Sequence, residues 1–247
     1  MKRLYLLSII LLFVVTLFGC TKSSGVNFEA KVINTEGSIM VAPDEKSNEV
    51  RSSDKIVLQM ADAKVYDEEG ELMEADDIEV DDIVKITYSG EIMESYPAQI
   101  ICKKLKVIDH DILLDGYMAV IDDIYKLDDG LNADITTIAV DTSTLTNLTE
   151  EEKERLLTMI GDKYGLTTIA GTFDELAEEG LIDKENLYFE EGIHIIIENP
   201  EYDRRSETLT CGIKKWRSGL GAIGADDVTA EFNGSTWEVT RKNEWIS

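Results

Sequence analysis

The chain has 247 residues, and its 24 Lys and Arg stand against 50 Asp and Glu, a formal net charge of −26. A field of that sign repels phosphate backbones and anionic head groups, which excludes nucleic acid as a partner and argues against direct docking on a membrane surface. It accommodates a cation or a basic partner, and it favours solubility, without requiring any of these.

The first element along the chain is an address. Lys2 and Arg3 form a positive stretch, Leu4 to Leu17 is an almost unbroken apolar run, and Gly19-Cys20 closes it, the three zones of an export signal. At about 1.5 Å per helical residue the run reaches only ~21 Å, short of the ~30 Å hydrocarbon core. It suits a cleaved signal better than a permanent anchor, although an uncleaved signal anchor with an incidental Cys20 is the competing account. Leu17-Phe18-Gly19-Cys20 resembles a bacterial lipobox, with Phe18 bulkier than that pattern usually has. The resemblance implies cleavage before Cys20 and lipid on its thiol. One acyl chain binds marginally and two anchor stably, so a diacylated Cys20 would hold the chain on the extracytoplasmic face of a membrane. Residues 1–19 are thus expected as signal peptide and 20–27 as a polar tether. No later stretch is apolar for 18 residues.

Residues 28–108 read as short strands between turn signals: 28–33, 38–42, 55–60, 64–66, 82–88 and 98–107, with a polar loop from Pro43 to Asp54. So many short strands in so few residues must close or pack on something, and a small barrel is expected. The stretch Ile78-Glu-Val-Asp-Asp-Ile-Val-Lys-Ile-Thr-Tyr-Ser-Gly90, continued to Ser95-Tyr96-Pro97-Ala98, resembles the YobA-type domain of unknown function found in Gram-positive lipoproteins. That resemblance implies an OB-like fold and a surface location, and no activity. Where that family has a glycine in its turn this chain has Asp81, a residue that tolerates the left-handed conformation better than most.

From Leu113 the hydrophobic period changes. Met118, Ile121, Tyr125 and Leu127 predict an amphipathic helix ending near Gly130, and 135–141 a strand. Thr149 with Glu152 and Thr172 with Glu175 are capping boxes, each opening a helix. Strands follow at 187–189, 193–197, 208–214, 228–232 and 236–240, with Asn233-Gly234 as a hairpin signal. Helices first and antiparallel strands after is the α+β pattern. The expected architecture is therefore α+β: a small OB-like barrel at 28–108, then an α+β domain at 113–247 whose helices pack on an antiparallel sheet, curved as in cystatin- or NTF2-like domains. Lys215 to Gly224 and Trp245 to Ser247 also resemble C-terminal regions of uncharacterised Gram-positive surface proteins, some attached to sensor-type membrane metallopeptidases.

Candidate chemistry is thin. Gly219-Leu-Gly-Ala-Ile-Gly224 matches GxGxxG by letter, but no helix is expected after it to hold a pyrophosphate, so it reads as a glycine-rich connection between strands. Of the two histidines, His194 alternates with isoleucines and is expected on a solvent face, and His110 lies between two aspartates. No HExxH, GxSxG or paired Cys/His spacing occurs, so no catalytic residue, metal ligand or cofactor is assigned. Acidic clusters such as 67–71 and 74–77 lack the calcium-loop pattern and read as solvated rims. Besides Cys20, Cys102 and Cys211 remain; they are expected to be buried thiols, with a bridge between them as the alternative. The candidate binding loop is a basic island, Lys215, Trp216 and Arg217 beside Gly219 and Gly221. A cation next to an aromatic can grip a carboxylate or sugar, or anchor an interface; the competing account puts Trp216 in a core. The expectation is a lipid-anchored, non-catalytic binding or accessory module with a protein partner or small ligand at the second domain. A sensor or regulatory partner of a membrane enzyme is the alternative, and an enzyme with dispersed carboxylates a third reading. An apolar pocket at residues 215–224 would favour the ligand module, and a flat apolar patch there the regulatory partner.

Overall fold

In a computed structural model the described residues are 25–247. The signal segment, Cys20 and the tether up to Ser24 lie outside them. The chain divides into two compact units between Asp111 and Ile112.

The first unit has seven strands: β1 (Val26–Asn34), β2 (Met40–Pro43), β3 (Ile56–Gln59), β4 (Lys64–Tyr66), β5 (Leu72–Met73), β6 (Asp82–Tyr88) and β7 (Ala98–His110). The sheet runs β3-β2-β1-β6-β7-β4-β5, and a parallel pairing of β3 with β7 closes five of the strands into a ring. Closure follows from the sequence of β7, whose burial alternates until two consecutive exposed lysines, Lys103 and Lys104, interrupt it. There the pairing with β6 slips from Thr87–Lys104 to Tyr88–Cys102. Such a bulge bends a strand, and the start of β7 pairs with β3 while its later residues pair with β4. Alternation then sends Val32, Val41, Ile56, Val84, Ile86, Ile100 and Leu105 inward, where each is fully buried. Val26 and Asn27, expected in the tether, already pair with Tyr88 and Thr87. Asp81 has φ +77°, the conformation its place in the turn required. Within the 43–54 loop, the Glu49 carboxylate is buried and accepts a 2.9 Å hydrogen bond from the Tyr88 hydroxyl. Burial, reinforced by that carboxylate, pushes the Tyr88 phenol up to about 12.

The second unit holds three α-helices and one sheet, so the protein as a whole is mostly β. Its elements are α1 (Leu113–Lys126), β8 (Thr137–Asp141), α2 (Glu150–Tyr164), β9 (Thr167–Ala170), α3 (Phe173–Glu178), β10 (Gly192–Asp203), β11 (Thr208–Ser218), β12 (Gly221–Phe232) and β13 (Trp237–Ile246). Both capping boxes form, Thr149 with Glu152 and Thr172 with Glu175. The sheet order is β13-β12-β11-β10-β8-β9. Its last four strands make the expected antiparallel meander, but β8 runs parallel to both β9 and β10. The expectation of helices on a purely antiparallel sheet is corrected on that point. Parallel neighbours need a crossover, and α2 and α3 supply the two crossovers. Alternation along β8 shows the consequence: Ile138 and Val140 join the core under α1 and α2, while Ala139 joins a smaller cluster with Leu176, Ile182 and Phe189. That end of the sheet is therefore covered on both faces.

Candidate functional site

The sequence placed its candidate loop at 215–221. Lys215, Trp216 and Arg217 instead lie in the last residues of β11, and only Gly219 and Leu220 connect β11 to β12. The reason is that the Lys215 ammonium and the terminal nitrogens of Arg217 are engaged by internal acceptors, while Arg217 Nε is buried without a partner. Lys215 is fully buried, and its ammonium donates to the carbonyls of Tyr125 (3.0 Å) and Asp128 (2.9 Å), to that of Leu127, and to Asn132 Oδ1 (3.1 Å). Those carbonyls belong to the C-terminal end of α1 and the turn after it, where the helix leaves acceptors unmatched and its dipole favours a cation. Burial pushes Lys215 down to about 8, against the pull of Asp128 and Asp129. Arg217 donates to the carbonyls of Leu131 (3.0 Å), Ala133 (2.6 Å) and Glu190 (3.1 Å). Trp216 packs edge-on against Phe173, with ring centroids 5.2 Å apart, beside Leu176 and Phe189. Trp216 is half-buried against that cluster, close to the competing account, and the cations fasten backbone carbonyls.

The glycines of 219–224 also have structural work. Gly224 pairs with Trp245, and a Cβ there would come within 2.5 Å of that ring and 2.7 Å of the Ile213 carbonyl. Gly219 donates its N–H to the Leu187 carbonyl at 2.8 Å. No helix follows Gly224, which continues β12.

Pinned in this way, the hairpin presents its tip to solvent. Leu220 is 92% exposed, the most exposed large apolar side chain among the described residues. Leu187 and Tyr188 are also exposed and reach the same end of the hairpin, Leu187 through Gly219 and Tyr188 through a bridge to Ser218. Grouped exposed apolar side chains mark interaction sites far more than scattered ones do. The chain signals for this patch were visible as letters, but an isolated Leu between glycines is not distinguishable from a core residue without the turn.

A cleft of about 460 Å³ lies at the carboxyl ends of β8 and β9, the place where open sheets with parallel strands bind ligands. Its polar groups are occupied by local structure. Asp141 accepts from the Ser143 N–H and hydroxyl, Lys153 pairs with Glu150 at 2.7 Å, and Glu175 is held by Thr172. The hydrogen bonds from Thr172 hold Glu175 below the usual carboxylate range.

The histidines part in opposite directions. His194, expected on a solvent face, is fully buried with Nε2 3.0 Å from the Gly171 carbonyl; its strand neighbours are Ala139 and Trp216, on the face that α3 covers. Burial lowers its pKa. At His110 burial also disfavours the cation, but the 2.9 Å contact with Asp82, helped by Asp81 and Glu79, outweighs it and raises the pKa. The signs of the linkage are opposite. The contribution of His110 is present below its unfolded value and lost as pH rises through its folded one. The contribution of His194 is present above the unfolded value and lost as pH falls towards its folded one. In an NMR titration of the two histidines, the His194 ring should titrate below 6.5 and the His110 ring above it; a common midpoint would contradict both environments. Cys102 and Cys211 are free buried thiols, raised by burial to about 11 and about 12. Among the described residues no cluster of three or more His, Cys, Asp or Glu is placed to hold a metal ion, and no helix is long and apolar enough to cross a membrane.

The fold thus defines a two-unit protein, mostly β, with a closed five-stranded barrel first and a mixed sheet with three helices second. Residues 31–109 match the family described as "Protein of unknown function (DUF3221)", so a domain of unknown function is found where one was expected. No curated protein and no solved structure matches the chain.

Proposed function

We propose that this chain is a lipid-anchored, non-catalytic accessory module on the extracytoplasmic face of a membrane, and that it engages a protein partner through the tip of the β11–β12 hairpin. The observation that carries the partner is the apolar tip itself, Leu220 with Leu187 and Tyr188, on a hairpin whose base is fastened by Lys215 and Arg217. A surface already held rigid loses little entropy on binding. The basic island beneath it spends the Lys215 ammonium and the terminal nitrogens of Arg217 on backbone carbonyls and Asn132, which favours the partner reading over the ligand module, and a regulatory role beside a membrane enzyme is one form of it. The OB-like reading of the barrel is supported by the parallel closure of β3 on β7. The anchor rests on the sequence through Cys20, which precedes the first strand at Val26 by six positions.

Two measurements test the parts separately. Cys20→Ser should abolish processing and the mass added by lipid, and release the protein from the membrane fraction; retention and mass unchanged from wild type would remove the anchor. A photo-crosslinking residue at Leu220 in the anchored protein should give one discrete adduct that disappears with Tyr188→Ser, whereas the same probe at exposed Glu238 should give none. Equal adducts at both positions would end the docking proposal.

A further inference from the structure

The outer face of the barrel breaks the acidic pattern of the rest of the chain. Strand register lines up two adjacent rows on it. In one, Lys85 lies opposite Lys106, which lies opposite Tyr66. In the other, Thr87 lies opposite Lys104, which lies opposite Lys64. The bulge adds Lys103, also exposed. Lysines directly opposed across strands repel each other, and the usual remedy is an interleaved carboxylate. Here Lys85 has Glu29 at 4.0 Å. Lys64, Lys103, Lys104 and Lys106 form no ion pair with a carboxylate among the described residues; Lys104 rests instead on the Tyr66 ring, 4.4 Å from its centroid. Lysines that guard a sheet against edge pairing belong on edge strands, but β6 and β7 are interior strands of the closed ring. Apart from Glu29 beside Lys85, the repulsion is built into the fold without an internal counter-charge. Leu72, opposite Tyr66 and 71% exposed, adds an apolar side chain to the same face, and the acidic turn 67–71 bounds it.

We infer that this face, carrying Lys64, Lys85, Lys103, Lys104 and Lys106, lies against the anionic phosphate headgroups of the membrane that the lipid on Cys20 enters. The inference rests on the anchored reading above. Charge complementarity selects an anionic partner, and the length of chain selects the bilayer. Asn27 stands at the end of the second row, opposite Thr87, which hydrogen-bonds it at 2.5 Å. Asn27 follows Cys20 by seven positions, and seven residues of extended chain reach at most about 25 Å, so lipid on Cys20 cannot carry the bilayer surface far from this edge of the face. The whole-chain charge of −26 does not forbid the contact, because at physiological salt charges beyond about 8 Å are largely screened while the lysines touch the surface. Basic side chains with an aromatic and an apolar residue beside them are the makings of an interfacial binder.

The test uses the processed chain, residues 20–247, with Cys20→Ser so that no lipid is present and the outcome does not depend on whether the anchor exists; lipidation is read separately by mass. Sedimentation with vesicles of equimolar phosphatidylglycerol and phosphatidylcholine should show binding that pure phosphatidylcholine lacks and that high salt removes. Lys64→Gln/Lys104→Gln/Lys106→Gln should weaken it at least about tenfold. Lys46→Gln/Lys184→Gln/Lys242→Gln, with the same net charge, should leave it unchanged, and circular dichroism should show both variants folded. No binding to anionic vesicles, equal losses in the two triple variants, or binding to soluble polyphosphate without binding to vesicles would overturn the inference.

Discussion

Lys215→Ala should destabilise the second unit by about 2–4 kcal/mol, the order expected when buried acceptors lose their donor and a large buried side chain is truncated. The ammonium is fully buried and serves four acceptors, three of them carbonyls at the end of α1. Its removal leaves those carbonyls dry, at about 1–3 kcal/mol for a single unsatisfied group, and opens a cavity between helix and sheet. Lys215→Met restores most of the volume but none of the donors, so it should recover only part of the loss. All three tryptophans, Trp216, Trp237 and Trp245, lie in the second unit, so Trp fluorescence in a urea titration reads that unit alone. A midpoint equal to wild type for Lys215→Ala would refute the buried network. The sign of the pH dependence is also fixed. Lys215 has a folded value of about 8, below the ordinary 10.5, so at this site the unfolded chain holds more protons between those limits and the contribution of Lys215 to stability rises with pH across them. Lys215→Ala should lose that rise.

Gly224→Val is the second large effect, expected to cost about 1–3 kcal/mol or more by overpacking. The first added atom meets the Trp245 ring at 2.5 Å and the Ile213 carbonyl at 2.7 Å. The ring and the backbone are both held by the sheet, so neither can yield cheaply. Gly221→Ala is the internal control: its nearest neighbour is the Ser218 hydroxyl at 2.7 Å, which can rotate away, and the effect should be smaller. Thermal unfolding of the two variants measures the difference. Equal small losses would mean that Gly224 is a connection and not a seat for Trp245.

Several elements were legible because local rules decide them. The capping boxes at Thr149 and Thr172 formed as written, since the cap and its N3 partner are neighbours in sequence. The barrel strands appeared at their alternating segments, and Asp81 took its left-handed turn. The parallel strand β9 was missed because Thr167–Ala170 has only four residues and no burial contrast of its own; it exists because α2 delivers it beside β8. His194 was misplaced for a related reason. Alternation says only that it opposes its isoleucine neighbours, and α3 covers the second face of the sheet there.

The basic island shows the limit most clearly. Residue types alone suggested a cation and an aromatic waiting for a ligand. The carbonyls that occupy Lys215 lie about ninety positions earlier in the chain, and no local pattern announces a pairing over that separation. The lysine rows on the barrel were hidden likewise, because Lys64, Lys85 and Lys104 become neighbours only through register. By itself the sequence determined charge, caps and most of the strand and helix segments, all set by interactions within a few residues. Tertiary structure alone decided which faces are covered, which cations are already satisfied and which remain exposed, because burial and charge pairing depend on residues that the chain brings together only when folded.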